Sequence, residues 1–396
     1  MGASLHIAIC GAGPAGLSAA LALKAEGHRI TLFEQFEAAK PLGSGLILQP
    51  TGLAVLDALG VGQRLRGLGA RIDRLYGRAA GSDRVVLDVR YQALGEERGL
   101  AVHRAALFNV LFDAVKDAGI SIETGSQISG LDGRVVILNQ GHRAGPFDLI
   151  IDALGARSPL IPHAAAPDAR RSLPYGAIWA SLPWPGAPFD AHALEQRYDG
   201  ASVMVGVLPI GRQIEGGDPQ TAFFWSLKGA EFEAWCAAGL GVWKERVRGL
   251  WPETAPLLET ITAPEQMVLA RYDHHTLPLP YGERLVFIGD SAHATSPQLG
   301  QGANMALLDV QALKAALATH DDLADALAAY ARMRRLHVRV YQGLSRVFTP
   351  FYQSDSRLLP LMRDTLVAAG SRLPPVQTLL ASIVSGRLVR PIRGER

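Results

Sequence analysis

Two glycine-rich stretches hold the residue types that can do chemistry in this chain. The first, Gly11-Ala-Gly13-Pro-Ala15-Gly16, follows the apolar run Leu5–Cys10 and leads into a helical run from Leu17 to Ala25. Arg29–Glu34 then reads as a second strand that ends in an acid. Strand, G-x-G-x-x-G, helix, strand and terminal acid form the dinucleotide-binding fingerprint. Gly11 makes the tight turn, Gly13 lets backbone approach a pyrophosphate, and Gly16 permits close helix–strand packing. Glu34 would accept from the hydroxyls of an adenosine ribose. The bland alternative is a glycine-rich turn with no ligand, and the acid at the second strand's end argues against it.

The second stretch runs from Leu285 to Asn304. Leu285–Ile288 is strand-like, Gly289-Asp290 breaks it, and a loop through Pro297 reaches a helix near Gly302. Such a loop aims backbone N–H groups at whatever sits over the helix start, where the macrodipole favours negative charge. Gly300 and Gly302 let backbone approach a ligand closely. Asp290 at the strand's end can accept from ligand hydroxyls. His293 reads as a packing or hydrogen-bonding residue of this loop. Ser291 lacks the Gly-x-Ser-x-Gly setting of a hydrolase nucleophile.

The elements that must position these stretches follow from the rest of the chain. At 396 residues, 48% of them hydrophobic, the chain suffices for two domains. A net charge of +2 argues against nucleic acid or an acidic membrane surface as partner. Cys10 and Cys236 give neither metal-ligand spacing nor a disulfide framework, and Cys10 reads as a small core residue. No apolar run reaches the roughly 18 residues of a membrane span, and no signal peptide precedes the first strand, so a cytoplasmic protein is expected. Arg71–Tyr76 and Arg84–Val89 read as paired strands, and Gly43 as a turn glycine. His103-Arg104 opens a helix, an unusual place for a cation that a bound phosphate would explain. Phe147–Ile151 is a buried strand. Residues 172–227 show short alternating runs that predict an antiparallel sheet. Ala230–Leu250 is predicted as one helix, with Trp235, Trp243 and Trp251 as core residues. Gln266–Tyr272 is predicted as a strand. From Gln301 onward the chain is helical, punctuated by Pro350, Pro360 and Pro374-Pro375, and its basic end (Arg387, Arg390, Arg393, Arg396) is expected to fray.

Gly11–Gly16 with Glu34, the strand-end segment Asp148–Ser158, and Gly289-Asp290 with Pro297 and Gly300–Asn304 occur here in a telling order. In that order they resemble the FAD-dependent aromatic hydroxylases. These are single-component flavoprotein monooxygenases similar to para-hydroxybenzoate hydroxylase and the ubiquinone-biosynthesis hydroxylases. The resemblance covers residues 4–60, 100–160 and 270–345. It implies an α/β fold: a Rossmann-like FAD-binding domain of glutathione-reductase type (residues 1–70, 100–171 and 271–340), a β-sheet substrate domain (71–99 and 172–270) and a C-terminal helical segment (341–396). It places FAD pyrophosphate at Gly11, Gly13 and Ala15, the ribose at Glu34 and an FAD-contacting arginine at Arg104. Asp290 would hold the ribityl chain or pyrophosphate, and Pro297 would lie over the flavin's reactive edge. Gly300, Gln301 and Gly302 would offer N–H groups to the pyrimidine end, with Asn304 nearby.

The implied reaction uses NADH or NADPH and O2 to hydroxylate a small aromatic, phenol-like substrate through a flavin C4a-hydroperoxide, with no metal. Candidates for a base are His274, Tyr198, His275, His192 and Tyr76. The chain departs from the family at Leu154, where the family has an acid before Gly155. Leucine accepts no hydrogen bond, so a backbone donor must find another partner; Asp152 belongs to the strand's other face. Other FAD chemistry (Baeyer–Villiger, epoxidising or reductive) and a non-catalytic FAD-binding role are the alternatives. The C-terminal helices are the expected contact of a homodimer.

Overall fold

The computed structural model describes residues 4–37, 44–82, 84–166, 170–367 and 373–394. Gly43 and Arg396 lie outside these residues. The fold is of the α/β class. Its first sheet has the order Tyr281–Gly282, Leu285–Phe287, Leu149–Asp152, His6–Cys10, Arg29–Phe33, Ser121–Glu123. All neighbouring pairs are parallel except the first. The four central strands are almost wholly apolar because both faces are covered, as parallel sheets require. Ile7, Ile9 and Ile151 pack among helix residues such as Leu17 and Leu111, whereas Ala8, Cys10 and Ile150 pack against Ile128 and Val136 of a three-stranded sheet (Ile128–Asp132, Val135–Leu138, Arg143–Ala144). The register decides where ligands can go. Cys10 stands opposite both Phe33 and Asp152, and Asp152 opposite Phe287. The turns after all four strands therefore meet at one carboxyl edge, the edge at which open α/β sheets bind ligands.

The second sheet has seven strands: Val268–Ala270, Tyr175–Pro183, Gln220–Lys228, Val203–Gly211, Ala193–Asp199, Arg74–Ala79 and Val85–Arg90. It is antiparallel except where Ala193–Asp199 runs parallel to Arg74–Ala79. That parallel pair joins two parts of the chain more than a hundred residues apart, so neighbouring runs alone gave no signal of it. A short sheet of Gly45–Leu48, Gly99–His103 and Ala70–Ile72 lies between the two.

Four sequence expectations need correction. Arg71–Tyr76 divides into Ala70–Ile72 and Arg74–Ala79, which join different sheets. Ala230–Leu250 breaks at Gly239, whose φ of 72° ends one helix and starts the next. The predicted strand Gln266–Tyr272 shrinks to Val268–Ala270. Pro350 does not end its helix, which spans Leu323–Tyr352. A proline removes one helical hydrogen bond and crowds a carbonyl, yet here the last turn is held by packing. Tyr352 is buried, with its ring 5.4 Å from that of Tyr198. Cys10, Trp243 and Trp251 are core residues as read from the sequence.

The helix Leu323–Tyr352 also holds the C-terminal segment. His337 Nε2 donates to the Gly386 carbonyl at 3.0 Å, and Tyr341 Oη donates to that of Ile383 at 3.0 Å. Burial, with Arg334 alongside, pushes His337 from 6.5 down to about 3. The unfolded chain would take up this proton near pH 6.5 and the folded chain only near 3. Stability is thus full above pH 6.5 and falls as the pH drops from there toward 3, by about 1.4 kcal/mol per pH unit for one such group. His337→Gln is expected to flatten the acid limb of melting temperature against pH. An unchanged slope between pH 6 and 4 would contradict this account.

Candidate active site

The first half of the site is the turn after His6–Cys10. Gly11 has φ +105°, and its N–H donates to the Phe33 carbonyl at 2.9 Å. A Cβ on Gly11 would lie 2.6 Å from the Ala153 carbonyl oxygen, and one on Gly16 would lie 1.9 Å from that of Gly11. Both positions therefore require glycine. The helix Pro14–Ala25 has no side-chain cap and no acid in its first turn, so its leading N–H groups face the cavity. Glu34 lines that cavity, while its carboxylate accepts from Ala12 N–H and Phe36 N–H, each at 3.1 Å. It braces the turn as well as facing it. Arg104 begins the helix Arg104–Asp117, capped by His103 Nδ1, which accepts from Ala105 N–H at 3.0 Å. Burial lowers the pKa of His103 and keeps it a neutral acceptor. The Arg104 side chain is exposed to the cavity and has no ion-pair partner among the described residues.

The second half follows Leu285–Phe287. Gly289 N–H donates to Asp309 Oδ2 at 2.9 Å. Asp309 is completely buried, and it also receives His293 Nε2 at 2.6 Å and Arg334 Nε at 2.8 Å. Burial opposes ionisation there, but His293 and Arg334 prevail and hold the carboxyl below its ordinary range. His293 is thus the hydrogen-bonding residue expected. Asp290, Pro297, Gly300, Gln301 and Gly302 all line the cavity. The Asp290 carboxylate is exposed there, with no hydrogen bond to it among the described residues. Gly302 starts the helix Gly302–Thr319, again without a side-chain cap.

Asn304 departs from expectation. It does not line the cavity, and its amide is used internally. Its Oδ1 accepts from Gln49 N–H at 2.8 Å, and its Nδ2 donates to the Gly300 carbonyl at 3.0 Å. It shapes the Gly300 turn from behind.

Asp152 also overturns an expectation. Its side chain is fully buried, and Oδ1 accepts from Leu154 N–H at 2.9 Å while Oδ2 accepts from Ser158 Oγ. The carboxylate two residues upstream therefore takes the donors that Leu154 cannot. Burial raises Asp152 to about 6.

Of the five candidate bases, only Tyr198 lines the cavity among the described residues. Burial pushes its hydroxyl well above the usual range, so it keeps its proton and donates to Gln196 Oε1 at 2.9 Å. It is a donor and not a base. His274 is buried behind the loop, where Nε2 meets Ser345 Oγ at 3.2 Å, and Ser345 meets Ser296 at 2.9 Å. His275 Nε2 donates to the Asp290 carbonyl at 2.6 Å. His192 is exposed, and Tyr76 lies under Arg74 on the sheet's outer face.

The sequence reading passed over Gln49, Asp309 and Arg334. Gln49 is buried at the cavity wall, Tyr91 Oη donates to its Oε1 at 2.6 Å, and its buried Nε2 has no hydrogen-bond partner among the described residues. Asp309 could have been noticed as a lone acid within Ala306-Leu-Leu-Asp-Val310, since a buried charge needs a partner. Arg334 gave no such signal.

One cavity of about 1230 Å³ joins both halves and continues to the seven-stranded sheet. That exceeds the roughly 300–1,000 Å³ of a single small-ligand pocket. Its donor set fits FAD. Two uncapped helix starts and an unpaired arginine suit a diphosphate, two carboxylates suit hydroxyls, and the orphaned Gln49 amide suits a ring carbonyl. Among the described residues no His/Cys/Asp/Glu cluster could hold a metal ion, and no helix is long and apolar enough to cross a membrane.

Comparison with known proteins agrees with this geometry. Residues 4–134 and 267–341 match the family described as FAD binding domain. The FAD-dependent monooxygenase OpS4 of Beauveria bassiana is 28% identical over 371 residues, which are 84% of this chain and 82% of that protein. The 6-methylpretetramide 4-monooxygenase of Streptomyces rimosus is 28% identical over 415 residues, 97% of this chain and 90% of that protein. The fold matches that of Klebsiella pneumoniae HpxO, solved with FAD and uric acid, with a TM-score of 0.80 at 22% identity. That match covers 97% of this chain and 98% of that one.

Proposed function

The chain belongs to the FAD binding domain family and is an FAD-dependent monooxygenase, and from that premise we propose that it hydroxylates a small aromatic, phenol-like molecule with NADH or NADPH and O2. The supporting observation is the single cavity that runs from the glycine turns to an apolar pocket on the second sheet. Relatives named as monooxygenases, such as the 6-methylpretetramide 4-monooxygenase, point the same way.

Bound FAD would supply the redox chemistry that activates O2. The chain's own residues do the rest. Backbone N–H groups at Gly13 and Ala15 and the Arg104 guanidinium bind the diphosphate, while Gly11, whose N–H is held by the Phe33 carbonyl, shapes the turn beneath it. Glu34 takes the adenosine ribose and Asp290 the ribityl hydroxyls. N–H groups of Gln301 and Gly302 face the pyrimidine end, where charge develops on reduction, and Gly300, whose N–H is held by the Pro297 carbonyl at 2.9 Å, turns the loop toward it. Pro297 shapes the reactive edge. Tyr198 keeps its proton and orients Gln196, and the apolar walls exclude water that would divert oxygen to peroxide. His274 supports the Pro297 loop through Ser345 and Ser296. The proposed division assigns 1–70, 100–171 and 271–340 to the FAD-binding domain, 71–99 and 172–270 to the substrate domain, and 341–396 to a C-terminal helical segment. The reaction is placed in the cytoplasm. The exposed Leu336, Val347, Leu358 and Leu361 make the C-terminal helices the proposed homodimer contact.

Anaerobic NADH or NADPH is expected to bleach the flavin band, faster with a bound phenol. Admission of O2 is then expected to give a product heavier by one oxygen atom. Failure of both nicotinamides to bleach the flavin would defeat this reading.

A further inference from the structure

The part of the cavity beyond the glycine turns divides by side-chain type. One wall is aromatic: Tyr198, Phe224, Trp179, Phe348 and Tyr352. The adjoining wall is aliphatic: Leu87, Val89, Leu380, Ile383 and Val384. Trp179 and Leu194 pack against both groups and mark the seam. The aromatic floor is flat because two strand positions are glycine. A Cβ on Gly77 would lie 2.5 Å from the Tyr198 ring, and one on Gly206 would lie 2.0 Å from the Phe224 ring. The rings occupy the space that side chains would take.

Strand alternation turns the charges of these strands to the other face. Arg74 pairs there with Asp88 at 2.6 Å, Arg78 Nε donates to Tyr76 Oη at 2.8 Å, and Arg197 lies 4.4 Å over the Trp251 ring. None of the three lines the cavity. Arg363 stands behind the Tyr198 ring, 4.8 Å from its centroid, and is paired with Asp364 at 2.8 Å. The arginines that do line the cavity lie elsewhere. Arg157 lies beyond Leu149–Asp152 at the glycine-turn edge, Arg104 follows Gly99–His103 of the short sheet, and Arg271 turns its guanidinium to Gly229 at the end of the seven-stranded sheet. In the aromatic part the polar groups among the described residues include those of Gln196 and Tyr198 and, at the Trp179 edge, Trp179 Nε1, which donates to Tyr272 Oη at 3.1 Å. Gln196 Oε1 is taken by Tyr198 Oη, whereas its Nε2 has, among the described residues, only the thioether of Met204 at 3.1 Å, a weak acceptor that a better one can displace.

We infer that the substrate is an uncharged aromatic ring carrying an aliphatic substituent. The ring lies on Tyr198 and Phe224 with its hydroxyl or carbonyl oxygen on Gln196 Nε2. The substituent lies between the Leu87–Val89 wall and Leu380–Val384. A ring carboxylate would be buried here without a cation, which proteins avoid at high cost. This inference rests on the reading of the cavity as the substrate site of the monooxygenase.

The test is equilibrium binding to the FAD-loaded protein, read by tryptophan quenching and flavin absorption. The probes are phenol, 4-ethyl-, 4-butyl- and 4-hexylphenol, and 4-hydroxybenzoate. Kd is expected to fall about fourfold per methylene through the butyl compound. 4-Hydroxybenzoate is expected to bind roughly 100-fold more weakly than 4-ethylphenol, the penalty of an unpaired buried carboxylate. Gln196→Leu is expected to raise Kd for phenol about tenfold while keeping the gain per methylene. A flat chain-length series, or equal binding of 4-hydroxybenzoate, would overturn the inference in the parent protein whether or not the variant folds. Hydroxylation of 4-hydroxybenzoate with no chain-length effect would overturn it and leave the monooxygenase reading standing. Chain-length-dependent binding with no oxygenated product from any probe would support the pocket's class and defeat that reading.

Discussion

Asp309→Ala is expected to destabilise the fold by about 3–5 kcal/mol, the range for breaking a buried ion pair by removing one partner. A domain stable by about 5–15 kcal/mol would be left marginal. The loss has three parts. Arg334, only 2% exposed, would keep a buried charge without its carboxylate. His293 Nε2 would lose its acceptor. The Gly289 N–H, held at 2.9 Å, would be orphaned at the turn that presents Asp290. Flavin content should therefore fall along with the melting temperature. Asp309→Asn keeps an acceptor for Gly289 N–H but not the charge, and should fall between parent and alanine variant. Chemical denaturation of the three proteins checks the order. An alanine variant within about 1 kcal/mol of the parent would show that Arg334 finds other partners.

The glycine turns were legible in sequence because their chemistry is local. Gly11 and Gly16 are constrained by atoms a few residues or one strand away, and the fingerprint carries that constraint in its spacing. The start of the helix at Gly302 and the Arg104 position were legible for the same reason. Asp152 was misjudged because it was assigned the face opposite Leu154, although residues two apart on a strand share a face. The strand ends at Asp152, and the turn that follows brings Leu154 N–H and Ser158 Oγ back onto its carboxylate. Asn304 was misassigned because its position beside the cofactor loop is shared by residues that face inward and residues that face the ligand. The aromatic floor was invisible: it depends on Gly77 meeting Tyr198 across a parallel pair joined by more than a hundred residues of intervening chain. The candidate bases failed for a related reason. A histidine's type gives no hint that Ser345, on a helix seventy residues later, will occupy its ring nitrogen.

Asp290→Ala is expected to purify colourless with its fold intact, and this pairing separates it from Asp309→Ala. The Asp290 carboxylate makes no hydrogen bond among the described residues; only its backbone carbonyl is used, by His275. A Cβ on Gly302 would lie 3.8 Å from its Oδ1, which places the carboxylate at the mouth of the second helix start. Removing it therefore costs the protein no contact, and the apoprotein should melt within about 0.5 kcal/mol of the parent apoprotein. The ligand loses charge-assisted bonds worth about 1.5–3 kcal/mol, or roughly 10–150-fold in Kd. Asp290→Asn should retain part of that affinity, because an amide oxygen still accepts from a ribityl hydroxyl. The measurement is flavin absorbance per protein after purification, then titration of stripped protein with FAD, alongside apoprotein melting. Full occupancy with unchanged affinity would remove Asp290 from the cofactor site. Loss of colour with a collapsed apoprotein would assign Asp290 the structural role that belongs here to Asp309.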